Sequence, residues 1–262
     1  MPYTYKNQKA GPKLAYLSIF GTSQIHLRDP YVVAMWSAVF PGYGHLLLNK
    51  YLRGFSLVIW ELFINQMIHL NSAMVYSFIG DIQKAKDVID IRYMHLYIPV
   101  YIFAIWDSYR TTVDMNKIFL LNEKDAGAIK RLVIKPFEIN YLDKRDPISA
   151  ILWSLTIPSL GQLYIHRIFG AFFTLVMTVV LVHFSHFIEA FHYLLIGELK
   201  KSSQVLNAQW LLYLPSFYFF TLYDTYMNVV ENNKLYDTEQ KKFLRKYYQT
   251  NSFQLQKGIK VK

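Results

Sequence analysis

The sequence predicts an all-α, polytopic membrane protein built by tandem duplication, each unit holding one Pro/Gly-broken helix and two spanning helices. Three observations predict it. Charge is scarce, with 18% of residues charged where a soluble domain has ~25%. The charges also cluster: Ile168 to Ile188 and Val205 to Tyr223 contain no Asp, Glu, Lys or Arg, and Phe55 to Gly80 contains Glu61 alone. Apolar runs of that length cross a hydrocarbon core of ~30 Å as helices. Third, one stretch occurs twice. Asp29 to Gly54 reads DPYVVAMWSAVFPGYGHLLLNKYLRG, and Asp146 to Gly170 reads DPISAILWSLTIPSLGQLYIHRIFG. Asp29, Pro30, Trp36, Ser37, Pro41, Gly44 and Leu46 return as Asp146, Pro147, Trp153, Ser154, Pro158, Gly161 and Leu163, always 117 positions on (146 − 29). Constant spacing through rare residue types marks an internal repeat.

The elements follow in order. Residues 1–28 form a basic tail, with an interfacial helix expected at Leu14 to Phe20. The first repeat occupies 29–117. Asp29 is a good N-cap, and Pro30 suits the first helical position because its missing N–H has no helical partner there. That helix stops at Pro41-Gly42-Tyr43-Gly44, and a short second piece, His45 to Asn49, follows. A long helix is expected from Gly54 to about Gly80, and a second span from Tyr93 to Tyr109 with Pro99 as a kink. Residues 118–145 read as a charged linker. The second repeat, 146–234, follows the same plan, with spans at Ile168 to Ile188 and Val205 to Tyr226. Residues 235–262 form a basic tail. The repetition extends to Asp107 and Asp224, and to Asn116-Lys117 and Asn233-Lys234.

Each broken helix has about the length of one span, so six or four segments could cross. Lys and Arg decide between the two. With the N-terminal tail inside, four crossings put 23 of the 28 Lys and Arg on the cytoplasmic side, whereas six put 16 there. Cytoplasmic loops carry the excess of positive charge, which favours four crossings, parallel repeats and both tails in the cytoplasm. The net charge of +10 is then explained by topology and by anionic lipid headgroups rather than by nucleic acid. The chain has no cysteine, which excludes disulfides and thiolate chemistry. The Phe-, Tyr-, Ile- and Lys-rich composition fits a low-GC bacterium and a plasma-membrane location.

Pro41-x-x-Gly44, Pro158-Ser159-Leu160-Gly161-Gln162-Leu163-Tyr164 and the following Gly54 or Gly170 resemble the P-G-x-G-Q-x-Y…G hairpin unit of bacterial multi-pass membrane proteins. They are similar, more loosely, to the TM2-domain hairpin. Copy one has His45 where the pattern has Gln, and Trp106-Asp107 and Tyr223-Asp224 depart from that family's W-x-x-x-D ending. The resemblance covers about 25 residues per copy. It implies a membrane hairpin and no particular chemistry.

Candidate sites are few. Pro41, Gly44, His45, Pro158, Gly161 and Gln162 sit at the helix breaks, where freed backbone groups bind ions or substrates in transporters; the bland alternative is a hinge with close helix contact at the glycines. Glu61 is an acid inside an apolar run, a functional candidate by its cost, or else a residue held by Asn65 one turn on. Asp107 and Asp224 suit helix-end pairing with Arg53 and Arg167. His183, His186 and Glu189 recur every third residue, a spacing that could hold a metal; the simpler reading is an aromatic interfacial belt. No nucleophile, phosphate-loop or dinucleotide motif stands out, and no cofactor is expected. The expectation is a non-catalytic plasma-membrane component or partner-binding scaffold, contacting lipid and another membrane protein. The alternatives are a small solute or ion permease subunit and a His-based metal protein.

Overall fold

The computed structural model describes residues 14–122, 129, 132–136 and 138–248, and it is mostly helical, with two small β-hairpins. The first series runs β1 (Ala15–Ser18), β2 (Gly21–Gln24), α1 (Pro30–Val39), α2 (Tyr43–Leu47), α3 (Tyr51–Ile68), α4 (Leu70–Phe78), α5 (Ile82–Val88) and α6 (Ile91–Asn122). The second runs β3 (Leu132–Ile134), β4 (Ile139–Tyr141), α7 (Pro147–Thr156), α8 (Pro158–Tyr164), α9 (Ile168–Ser185), α10 (Phe187–Leu195), α11 (Leu199–Val205), α12 (Ala208–Leu211) and α13 (Tyr213–Tyr248). β1, α1, α3, α4 and α5 each begin 117 positions (132 − 15) before β3, α7, α9, α10 and α11.

Local chemistry explains these boundaries. The Asp29 carboxylate accepts the Tyr31 N–H, and the Asp146 carboxylate accepts the Ser149 N–H, each with Pro in the first turn behind it. Caps of this kind satisfy donors that the helix itself leaves free. After ten residues α1 ends at Phe40 in extended backbone, and α2 folds back along it. The glycine at the crossing explains how closely. A Cβ on Gly44 would strike the Ser37 hydroxyl and come within 2.6 Å of the Val33 carbonyl oxygen; on Gly161 it would strike the Ser154 hydroxyl and approach the Ala150 carbonyl oxygen to 2.8 Å.

Three expected helices are corrected. Leu14 to Phe20 is no helix: β1 pairs antiparallel with β2, Ala15 opposite Gln24, because Ala15 and Leu17 alternate inward with Tyr16 outward, the period of a strand. The helix expected from Gly54 to Gly80 breaks at His69, which takes a left-handed conformation (φ 61°), and the one expected from Ile168 to Ile188 breaks at His186 (φ 55°). Neither break has a Gly or Pro to announce it, although His is among the residues that tolerate this region. The expected linker begins inside α6, which continues to Asn122, and it contains the β3–β4 hairpin. Similarly, α13 runs through the expected boundary at 234 as far as Tyr248.

Four full spans are expected from the sequence, but among the described residues α9 alone is long and apolar enough to cross a membrane; α5 and α6 pass the same test only as a pair bent by 88°. The shortfall has a chemical reason. α3 carries Arg53 and Glu61, while the apolar stretches of α6 and α13 are interrupted by tyrosines and by Asp107 and Asp224, which lower their hydropathy.

The core joins the two series. The Tyr43 ring stacks on Phe220 at 4.0 Å, Trp36 meets Phe220 edge-on, and Phe55 lies 4.6 Å from Phe173. Around them Phe40, Leu47, Val58, Met177, Leu181 and Phe217 are buried.

Candidate functional site

The repeated polar residues converge on two clusters at the bases of the helical hairpins, one partly open to solvent and one buried. In the first, His45 on α2 is completely buried and its Nε2 lies 2.9 Å from Asp107 Oδ2 on α6. The carboxylate is the acceptor, so Nε2–H donates. Arg53, on the first turn of α3, donates to the same oxygen at 2.7 Å, with its side chain 55% exposed. In the second, Gln162 on α8 takes the place of His45 and donates to Asp224 Oδ2 at 2.8 Å. Arg167 donates to that oxygen at 2.6 Å, and here the pair is sealed, at 4% and 6% exposure for the two residues. Asn228 donates to the other carboxylate oxygen at 2.8 Å. Ser154 and Gln162 both reach the Thr225 hydroxyl.

The arginines are not repeat equivalents, since Arg167 aligns with Lys50 (167 − 117). Repeat 2 places its guanidinium before the helix and repeat 1 places it on the first turn, and both reach the same aspartate. Arg167 also bonds Asn49 at 3.1 Å and the Tyr51 hydroxyl at 2.8 Å, so it ties the start of α9 to the start of α3. Asn49 and Tyr51 were invisible as partners in the sequence because they belong to the other repeat.

A further polar cluster centres on Glu61. It is 3% exposed in the middle of α3. Its Oε1 accepts from Asn65 at 3.0 Å and from the Tyr97 hydroxyl at 3.4 Å, while its Oε2 has no hydrogen-bond partner. Asn65 continues the network to Asn71 and Gln209: Gln209 Nε2 donates to Asn65 Oδ1 at 2.8 Å, and Asn71 donates to the Gln209 carbonyl at 2.9 Å. Sequence reading found Glu61 and Asn65 by helical spacing and missed Gln209, 144 positions away from Asn65.

The three candidate metal residues do not converge. His186 is the left-handed residue between α9 and α10, so His183 lies on one helix and Glu189 on the next. His186 Nδ1 is 3.3 Å from Glu189, and His183 packs edge-on against Phe184. Among the described residues no group of three or more His, Cys, Asp or Glu could hold a metal ion.

On the β-hairpin side, a cavity of about 360 Å³ lies between β1–β2 and the outer parts of α6 and α13, lined in part by Ile25, His26, Phe119, Lys234 and Leu235. Both ring nitrogens of His26 are buried without a partner. Burial, then the positive charges of Arg28 and Lys234, push its pKa down to about 3, so the imidazole is neutral at physiological pH.

The backbones at the helix entrances are fixed in the same way twice. The Asn116 side chain accepts from the Arg28 N–H and donates to the Arg28 carbonyl; the Asn233 side chain does the same with Arg145. Set beside protein-family models, curated proteins and solved structures, this chain matches none of them.

Proposed function

We propose that the chain is a tandemly duplicated, four-crossing membrane protein that acts as a non-catalytic scaffold for another membrane protein. The observation that carries the bilayer reading is the inversion of α9. It is the most apolar described helix, with mean hydropathy 2.1, yet only 28% of it is buried. A soluble core helix of that composition would be enclosed. Phe169, Phe172 and Val179 on α9, Ile59 and Phe63 on α3, and Phe219 on α13 all point outward and are more than half exposed. The Arg167–Asp224 pair, by contrast, lies inside.

Lengths support four crossings over six. At 1.5 Å per residue, α3 and α9 each extend ~27 Å and α1 and α7 only ~15 Å, half of a ~30 Å core. α2 and α8 then turn back, which suits re-entrant hairpins of the kind the P-G-x-G-Q-x-Y…G resemblance implies. The contact of Arg167 with Tyr51 and the packing of Phe55 on Phe173 favour α3 and α9 entering from one side, as parallel repeats do. Both basic tails then lie in the cytoplasm, facing anionic headgroups.

The scaffold reading rests on what the repeated residues do. Asp29 and Asp146 cap, Gly44 and Gly161 permit crossing, and Asp107 and Asp224 receive a buried donor each, from His45 and Arg167. These are architectural roles. Two measurements test the reading. The protein should resist alkaline carbonate extraction from membranes, and a photo-crosslinking residue at Phe172 should capture a discrete protein neighbour in native membranes. Extraction by carbonate would remove the bilayer reading. Crosslinks to lipid alone, or robust hydrolase or transferase turnover by the purified protein, would remove the scaffold reading.

A further inference from the structure

Glu61 breaks the symmetry of the repeats, and that break is informative. Its equivalent 117 positions on is Thr178; those of Asn65 and Asn71 are Val182 and Ile188. The two helix pairs nevertheless keep one architecture. α3 and α9 both have 18 residues and both end at a left-handed His, and α4 and α10 both have nine. Repeat 2 therefore acts as an internal control: this helical turn forms without a carboxylate or the amides around it. The polar cluster of repeat 1 is an addition to the fold, not a requirement of it.

The addition is costly as it stands. A carboxyl group removed from water needs a countercharge, a full set of donors or a bound proton. Among the described residues no ion pair reaches Glu61, and its two donors are a neutral amide and a phenol on one oxygen. The other oxygen has no partner, and the buried Tyr213, beside Gln66 and Gln209, lies within electrostatic range of the carboxylate. Two more tyrosines, Tyr43 and Tyr101, lie in the same range. The C-terminal end of α3, where helix carbonyls concentrate partial negative charge, is two turns away at Ile68. Every group here offers oxygen or neutral dipole, and a single carboxylate supplies the formal charge.

We propose that Glu61, with Tyr213 and the Asn65–Asn71–Gln209 amides behind it, forms a buried site for one monovalent cation of the sodium type. One negative charge among neutral oxygens balances one positive charge; a divalent ion would be left half neutralised. The site lies between the repeats, because Glu61 and Asn65 come from α3, Gln209 from α12 and Tyr213 from α13, so an occupied site would bind the two halves together.

The inference rests on the bilayer reading for the cost of the charge; carbonate extraction reports on that reading and sodium binding on this one. The test is the unfolding midpoint of the detergent-purified full chain in sodium chloride against N-methyl-D-glucamine chloride at equal ionic strength. A ligand that binds only the folded state raises the midpoint with its concentration. Sodium should raise the wild-type midpoint in a saturable way, by a few degrees. Glu61→Gln should abolish the response, and Tyr213→Phe, which keeps the ring, should move it to higher sodium. If Glu61→Gln does not fold, Tyr213→Phe and Asn65→Val decide in its place. A wild-type midpoint that ignores sodium, or a response equal in the variants, overturns the proposal.

Discussion

At the scale of single residues, the two aspartate clusters share a donor geometry and differ in solvent access, and their energetics follow from that difference. Arg167 and Asp224 are sealed, and breaking a buried pair by removing one partner costs ~3–5 kcal/mol because the other charge is left behind. Arg167→Met in detergent should lower the unfolding free energy by that amount. Arg53 is 55% exposed, so Arg53→Met should cost under ~1 kcal/mol. His45 allows a swap that the molecule itself has already tried. Gln162 makes the same bond to Asp224 that His45 makes to Asp107, so His45→Gln should cost less than ~1.5 kcal/mol. His45→Ala, which withdraws the buried donor, should cost ~1–3 kcal/mol plus a cavity. Equal losses for the two variants would mean that the bond to Asp107 is not what His45 contributes. His26 provides a pH signature. Its folded pKa, about 3, lies below the unfolded value of ~6.5. The depressed value means that folding excludes a proton. Its stability contribution is full above the unfolded pKa and is lost as pH falls from ~6.5 toward 3. A His26→Phe variant should lose that part of the acid dependence, as read by unfolding midpoints against pH.

At the scale of elements, the parts legible in the sequence were those marked by residues with one strong local meaning. Asp-Pro marked the starts of α1 and α7, and Pro-x-x-Gly marked the hairpin turns, because caps, missing N–H groups and absent Cβ atoms act over a few positions. The breaks at His69 and His186 were not legible: a left-handed histidine is sustained by tertiary packing and leaves no local signal. Nor was β3–β4, whose strands are three residues long in a stretch read as charged linker. Comparing repeats would not have found it either, since the equivalent stretch, β1–β2, itself reads as an interfacial helix. The hairpin crossing is the element most open to attack. Gly44→Leu or Gly161→Leu would force a side chain into a neighbouring helix's Ser hydroxyl and backbone carbonyl. Neither neighbour is the free end of a flexible chain. The expected result is poor folding or a loss beyond the ~1–3 kcal/mol of ordinary overpacking, read by detergent yield and unfolding midpoint. Gly80→Ala is the informative comparison: its Cβ would meet nothing within 4 Å, and the strain comes only from φ 88°.

At the scale of the whole molecule, the proposed four-crossing topology turns on how the two sequence copies are oriented, and four lysines read it. Lys84 and Lys201 are repeat equivalents in the segments after α4 and α10, and Lys117 and Lys234 are equivalents on α6 and α13 (201 − 84 and 234 − 117 are both 117). The side chains of Lys117, Lys201 and Lys234 are more than half exposed. Lys117 follows Asn116, which holds the Arg28 backbone, and Lys234 follows Asn233, which holds Arg145. In the proposed topology each of these two lysines therefore shares a membrane side with the entrance to its own repeat. Parallel repeats put both entrances on the same side. Because the chain has no cysteine, single cysteines at the four positions report without background. In intact cells a membrane-impermeant thiol reagent should label Lys84→Cys and Lys201→Cys, and should reach Lys117→Cys and Lys234→Cys only after permeabilisation. Inverted repeats would split the pairs instead, with Lys84 and Lys201 on opposite sides. That outcome would also separate the starts of α3 and α9, which the Arg167–Tyr51 bond brings together. The charge asymmetry, the short hairpins and that single bond thus stand or fall on one labelling pattern.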